Sequence, residues 1–142
     1  FSKDISTFEK NKEQEKIKDD FNEIQNDLII IVSSIAAIKG SSILGAYNIS
    51  KAADVMIVKN IAAEFGHKNI RANSIAPGLI KTDFAKALWE NPEILESVIG
   101  TTPMQRIGEP DEIAGVAVML ASNAGSYING QTIVVDGGTT IV

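Results

Sequence analysis

A run of apolar, mostly β-branched residues, Leu28–Val32, constrains the fold of this chain more than any other feature. Both alternating faces of the run are apolar, which is typical of a strand buried on both sides within a parallel sheet. Two further short strands are predicted at Ile70–Ala76 and Ile133-Val134-Val135, and segments with helical periodicity separate the three. This alternation predicts a parallel α/β layer. We expect neighbouring parallel strands at 28–33, 70–76 and 131–136, with helices at 46–65 and 110–122 packed on the sheet.

Glycine and proline mark where the predicted helices begin and end. Gly66 is predicted to close the first long helix in the C′ position, where glycine is common. Pro110 suits the first turn of a helix, because the amide at that position has no helical partner. Residues 82–99 are amphipathic but are interrupted by Asn91-Pro92, which predicts two short helices over a cleft.

Residues 1–27 differ in character from residues 28–142. They contain five lysines and eight acidic residues. Their apolar side chains follow a helical spacing only near the end, at Ile17, Phe21, Ile24 and Leu28. We therefore predict a charged helical segment over 1–27 that docks by its C-terminal half, followed by a single α/β domain over 28–142.

Composition excludes several classes of function. The chain has no cysteine and only one histidine, His67, so neither a thiolate metal site nor a His-rich metal site is expected. The net charge of −5 argues against a general affinity for nucleic acid or anionic membranes. No apolar run is long enough to span a bilayer, and no signal-peptide pattern is present. We expect a cytoplasmic protein.

Three residues carry the clearest chemical signal. Tyr47 and Lys51 are four residues apart on a predicted helix and therefore share one face. A nearby ammonium ion stabilises a phenolate, which allows a tyrosine to exchange a proton near neutral pH. Ser34 follows the first strand, at the carboxyl edge where open α/β sheets bind ligands. Its hydroxyl would hold a substrate oxygen while Tyr47 moves the proton, which suggests carbonyl reduction or its reverse.

Each part of this signal has a simpler explanation when taken alone. A tyrosine and a lysine at this spacing often occur by chance, and Ser34 could cap a helix or end a strand. The glycines at 40 and 45 have the spacing of a phosphate-binding P-loop, but Ala46-Tyr47 replaces the lysine and hydroxyl residue that such a loop requires.

The joint pattern resembles the short-chain dehydrogenase/reductase family across about residues 28–138. Five motifs match the family in order and in spacing. They are Ile31-Val32-Ser33-Ser34, Tyr47-x-x-x-Lys51, Asn73-Ser74-Ile75-Ala76-Pro77-Gly78, Ile80-x-Thr82, and Gly130-Gln131 through Asp136-Gly137-Gly138.

The resemblance implies a Rossmann-like parallel sheet with flanking helices, NAD or NADP as cofactor, and a small carbonyl or alcohol substrate. Ser34 would orient the substrate oxygen, Tyr47 would be the acid–base, and Lys51 would bind the nicotinamide ribose and stabilise the phenolate. The other implied cofactor-binding residues are Pro77, Gly78, Ile80 and Thr82. The resemblance also implies a homo-oligomer, because the long helix and last strand match the family's subunit contacts.

Two residues after the second strand carry more than one interpretation. Thr82 could bind the cofactor, cap the following helix, or do both. Trp89 lies in the segment that corresponds to the family's substrate lid, although an isolated tryptophan is more often a core residue.

The sequence departs from the family in one large respect. The family's Thr-Gly-x-x-x-Gly-x-Gly phosphate loop occurs nowhere in the chain, nor does its Asn-x-Ala-Gly motif. A dinucleotide fold needs two halves, with the pyrophosphate on a glycine-rich turn. We therefore expect the chain, which begins at Phe1, to be the C-terminal half of the doubly wound fold. The hypotheses are an NAD(P)-dependent oxidoreductase and, alternatively, a non-catalytic remnant that serves as an assembly module.

Overall fold

A parallel sheet of three strands organises the computed structural model, which describes residues 27–142. The strands are β1 (Leu28–Val32), β2 (Arg71–Pro77) and β3 (Thr132–Val135), in the order β1-β2-β3. Both pairs are parallel. The predicted strands are confirmed, with ends that differ by one residue. The charged helix predicted over 1–27 lies outside the described residues, apart from Asp27.

Between Asp27 and Val142, four α-helices connect or flank the strands: α1 (Gly45–Phe65), α2 (Lys86–Trp89), α3 (Pro92–Thr101) and α4 (Pro110–Ala121). The two short helices predicted within 82–99 are α2 and α3. The side chain of Asn91 caps α3 by accepting hydrogen bonds from the first turn. Pro110 occupies the first turn of α4, as the sequence predicts.

The predicted C′ position of Gly66 is wrong, although α1 ends at Phe65 as the sequence predicts. Gly66 has φ −58° and begins a 3₁₀ turn, Gly66–Lys68, that continues α1. The left-handed residue is Asn69, with φ 61°, a conformation that asparagine tolerates better than most residues. Gly66 instead leaves room for another side chain, because a Cβ there would lie 3.1 Å from Nδ2 of Asn129.

The core is centred on β2, all seven residues of which are buried. Helix α1 contacts β1 and β2, and α4 contacts β2. Val58 of α1, Ile75 of β2 and Leu120 of α4 are the largest apolar side chains with no exposed surface. Helices therefore cover the central strand, which is buried although it contains Arg71, Asn73 and Ser74.

A buried arginine joins β2 to the end of α4. Arg71 is 8% exposed, and its Nη1 donates hydrogen bonds to the carbonyl oxygens of Leu120 (3.0 Å) and Gly125 (2.8 Å). Because the C-terminal end of a helix carries partial negative charge, a cation there is stabilising. Arg71 thus supplies a donor to the Leu120 carbonyl oxygen near the end of α4, and a second donor to the Gly125 carbonyl oxygen, which also accepts from the Ile128 N–H.

Replacing Arg71 with methionine should lower the free energy of unfolding by about 2 kcal/mol, because it leaves the Leu120 carbonyl oxygen without its side-chain donor. The measurement is urea unfolding of the purified chain. Lys59→Met, which removes an exposed lysine from α1, is the matched control and should change the value by less than about 0.5 kcal/mol. Equal values for the two variants would show that the Arg71 hydrogen bonds add nothing to stability.

Candidate active site

The end of β1 places two serines in different environments. Ser33 is buried, and its Oγ donates to the carbonyl oxygen of Lys51 on α1 at 2.9 Å. Ser34 is half-buried, and its Oγ accepts a hydrogen bond from the Ala36 N–H at 3.1 Å, which caps a short 3₁₀ turn. The cap that the sequence suggested for Ser34 is therefore present. This bond uses only a lone pair of the hydroxyl, so the hydroxyl proton can still be donated to a ligand.

Tyr47 and Lys51 lie on the first turns of α1, and both are half-buried. The Nζ of Lys51 lies 5.8 Å from the centre of the Tyr47 ring, within the range of a cation–π contact. The same Nζ lies 3.4 Å from the carbonyl oxygen of Val32, at the end of β1. Lys51 therefore connects the tyrosine to the strand end that precedes Ser34. That Tyr47 and Ser34 face one cleft stays a prediction.

Two polar residues near this pair were missed by the sequence reasoning. Oδ2 of Asp54 forms an ion pair with Nζ of Lys51 at 3.1 Å, with both side chains about one quarter exposed. Nδ2 of Asn48 donates to the carbonyl oxygen of Lys39 at 2.8 Å and fixes the start of α1 to the preceding loop. The spacing of Lys51 and Asp54 on one helix face was the available signal.

The loop after β2 includes a backbone donor, the Ile80 N–H, that no protein group uses within residues 27–142. Gly78 donates to the carbonyl oxygen of Val135, and a Cβ on Gly78 would lie 2.9 Å from Cα of Asp136. The carbonyl oxygen of Ile80 accepts from Thr82. Within residues 27–142 the Ile80 N–H has no hydrogen-bond acceptor. The close approach at Gly78 explains the glycine, and the free N–H is available to a ligand.

Thr82 and Trp89 are tied to each other. Oγ1 of Thr82 accepts from the Ala85 N–H at 3.3 Å, and Nε1 of Trp89 donates to the Thr82 carbonyl oxygen at 2.9 Å. Thr82 therefore caps the turn before α2, whereas the N-cap position of α2 itself is Ala85. Trp89 is half-buried over this loop rather than in the core. The lid role of Trp89 stays a prediction.

Asp136 fixes the turn that follows β3. Burial alone would raise the pKa of this carboxyl group, but hydrogen bonds from Thr140 and from the Gly138 N–H hold the pKa below its usual value. Oγ1 of Thr139 in the same turn lies 3.0 Å from Oγ1 of Thr102, at the end of α3. The turn thus touches both the loop at Gly78 and the end of the proposed lid.

The described residues offer no metal site and no membrane span. Between Asp27 and Val142, no group of three or more His, Asp and Glu side chains is arranged to hold a metal ion. In the same part of the chain, no helix is both long enough and apolar enough to cross a bilayer.

Comparison with known proteins decides the family. A family model described as Enoyl-(Acyl carrier protein) reductase matches residues 21–140. Dehydrogenase/reductase SDR family member 4 of Bos taurus is 49% identical over 111 residues, which cover 78% of this chain and 40% of that protein. The chain belongs to the short-chain dehydrogenase/reductase family. The human protein of the same name is 47% identical over 111 residues. The chain thus spans less than half the length of these relatives.

Solved structures of dehydrogenases share the fold. Gluconate 5-dehydrogenase from Burkholderia cenocepacia, in complex with NADP and tartrate, is 31% identical with a TM-score of 0.81, covering 88% of this chain and 49% of that one. A 7α-hydroxysteroid dehydrogenase, complexed with NADH and 7-oxo glycochenodeoxycholic acid, is 39% identical with a TM-score of 0.78, covering 83% and 46%. The predicted Rossmann-like fold, matched over about half of each dehydrogenase, is confirmed.

Proposed function

We propose that the chain supplies the catalytic half of an NAD(P)-dependent oxidoreductase that transfers hydride between a nicotinamide and a small carbonyl or alcohol substrate. The observation that carries this proposal is the position of Lys51. Its Nζ contacts both the Tyr47 ring and the carbonyl oxygen of Val32, at the end of the strand that leads to Ser34. Family membership and the dehydrogenases of the same fold support it.

The residues of this chain fit the nicotinamide end of such a cofactor. The unpartnered N–H of Ile80 is a donor for a carboxamide oxygen, and Pro77 and Gly78 let the backbone approach a flat ring closely. The Nζ of Lys51 would hold the ribose hydroxyls, and Tyr47 and Thr82 would complete the contacts. When bound, the nicotinamide would supply or accept the hydride.

Three side chains would handle the substrate oxygen and its proton. In the direction of reduction, Ser34 donates a hydrogen bond to the carbonyl oxygen, since its contact with Ala36 leaves the hydroxyl proton free. The Tyr47 hydroxyl gives its proton to that oxygen as the carbon receives the hydride, and the phenolate then regains a proton from solvent. The Lys51 ammonium group stabilises the phenolate in between. Oxidation of an alcohol runs through the same steps in reverse.

A second candidate function is favoured by one observation on α1. Ile49, Met56 and Ile57 on this helix are between 46% and 74% exposed, which is unusual for large apolar side chains. These side chains support a homo-oligomer assembled through α1. They equally suit a non-catalytic chain that acts only as an assembly module.

The test is a hydride-transfer assay on a complete enzyme in which a glycine-rich phosphate-binding half precedes this chain. Absorbance of NADH and NADPH is followed with a panel of small ketones, and of NAD⁺ and NADP⁺ with secondary alcohols. We expect turnover with at least one cofactor and substrate pair, which would exclude the assembly-module function. A folded enzyme that binds the cofactor but turns over no substrate of either class would contradict the oxidoreductase proposal.

A further inference from the structure

An ion pair outside the Ser34–Tyr47–Lys51 group holds the start of α4. The guanidinium of Arg106 binds the carboxylate of Glu112 through two parallel hydrogen bonds, Nη1 to Oε2 at 2.8 Å and Nη2 to Oε1 at 2.7 Å. Oε2 of Glu112 also accepts from the backbone N–H of Glu109 at 2.8 Å. We call this three-residue arrangement the Arg106–Glu112 clamp.

Charge and geometry keep the clamp formed over a wide range of pH. The hydrogen bonds from Arg106 and then from the Glu109 N–H lower the pKa of Glu112 to about 2. Because the folded-state pKa is lowered, the contribution of Glu112 to stability is present at neutral pH and is lost only as the pH falls toward this value. Two-point binding also fixes the orientation of both side chains, which a single contact would not do.

The clamp encloses a backbone segment that pairs with the loop after β2. Gly108 lies between Arg106 and Glu109 and forms an isolated parallel bridge with Ile80. In this bridge the Gly108 N–H donates to the Leu79 carbonyl oxygen and the Gly108 carbonyl accepts from the Lys81 N–H, both at 2.9 Å. The fit is tight, because a Cβ on Gly108 would lie 2.5 Å from Cδ1 of Ile80.

The bridge determines the direction of the free donor. In a parallel pair, the residues on either side of Ile80 bond to Gly108, so the N–H and carbonyl of Ile80 itself point away from the bridge. The Ile80 carbonyl oxygen accepts a hydrogen bond from the Thr82 N–H. The Ile80 N–H has no protein acceptor within residues 27–142. The orientation of the Ile80 N–H therefore depends on Gly108 staying in place.

We propose that Arg106 and Glu112 are positioning residues, which hold Gly108 against the loop so that the Ile80 N–H faces the nicotinamide carboxamide. This inference rests on the proposed function. The two side chains are 46% and 40% exposed, and ion pairs with that exposure add little to global stability. We therefore expect that loss of the Arg106–Glu112 ion pair loosens the bridge between Ile80 and Gly108 and leaves the stability of the core unchanged.

The first experiment measures amide hydrogen exchange in the 142-residue chain without cofactor. In Arg106→Met and Glu112→Gln, the amides of Lys81 and Gly108 should exchange about twofold to fivefold faster, the range expected for loss of one exposed ion pair. The amide of Ile75 in β2 reports global opening and should not change. Glu90→Gln removes another exposed ion pair, with Lys86, and is the matched control. Exchange that is unchanged at both bridge amides, or that rises equally at Ile75, would overturn the proposal.

The second experiment measures cofactor use in the complete enzyme. Arg106→Met should raise KM for the nicotinamide cofactor about twofold to fivefold and change kcat less, because it loosens a binding contact. Arg106→Lys keeps the charge but loses the two-point contact, so an intermediate KM is expected. An unchanged cofactor KM in Arg106→Met would overturn the positioning role. Failure of the proposed function is distinguishable, because exchange at the bridge is measured without turnover.

Discussion

Tyr47→Phe is expected to reduce turnover of the complete enzyme by about 10³-fold, in the middle of the range for loss of a general acid–base group. The substitution removes only the hydroxyl, which is the group that would give or take the substrate proton. The ring, and with it the contact with Lys51, would remain. We therefore expect little change in the fold. The measurement is kcat for the preferred substrate, together with thermal unfolding of both proteins.

The chain provides a matched control for this substitution. Tyr127, the other tyrosine, is fully exposed in the turn before β3. Tyr127→Phe removes the same atom and should leave kcat within about twofold of the unsubstituted enzyme, as for surface substitutions in general. Unchanged turnover in Tyr47→Phe would rule out this residue as the acid–base.

The 142-residue chain by itself is expected to bind neither NAD⁺ nor NADPH with micromolar affinity, and to transfer no hydride. Its sequence contains no glycine-rich turn of the kind that presents backbone N–H groups and a helix N-terminus to a pyrophosphate. Lys51 and the loop from Pro77 to Thr82 would contact only the nicotinamide riboside end. Calorimetric titration of the folded chain with each cofactor is the measurement.

The edge of the sheet affects how this titration is prepared. Within the described residues, β1 pairs only with β2, and Ile29 and Val32 are 37% and 54% exposed. An apolar strand with an unpaired edge favours association with another chain. We therefore expect the isolated chain to be marginally stable or oligomeric, and the titration requires protein first shown to be folded by circular dichroism. Saturable binding near micromolar affinity would contradict the prediction.

Much of the fold could be predicted because its signals are local. The run Leu28–Val32 is apolar on both faces, which correctly predicts a strand of a parallel sheet. The burial of both its faces is not observed within the described residues, where Ile29 and Val32 are exposed. Pro110 and Asn91-Pro92 mark helix starts for steric reasons that act within a few residues. The side chains proposed for catalysis were found in the same way, since Tyr47 and Lys51 are one turn apart on one helix.

Features that join distant segments were decided only by the tertiary structure. The left-handed residue after α1 is Asn69, and Gly66 instead packs against the side chain of Asn129. The contact of Arg71 with the carbonyl of Leu120 spans 49 residues and follows no sequence period.

The loop that would bind the nicotinamide shows the same division between sequence and tertiary structure. The sequence determined that proline and glycine end β2, whereas only the folded chain places Gly108 beside Ile80 and leaves the Ile80 N–H free. Hydrogen bonds between segments so far apart depend on how helices pack on the sheet. Propensity and periodicity describe one segment at a time and carry no information about that packing.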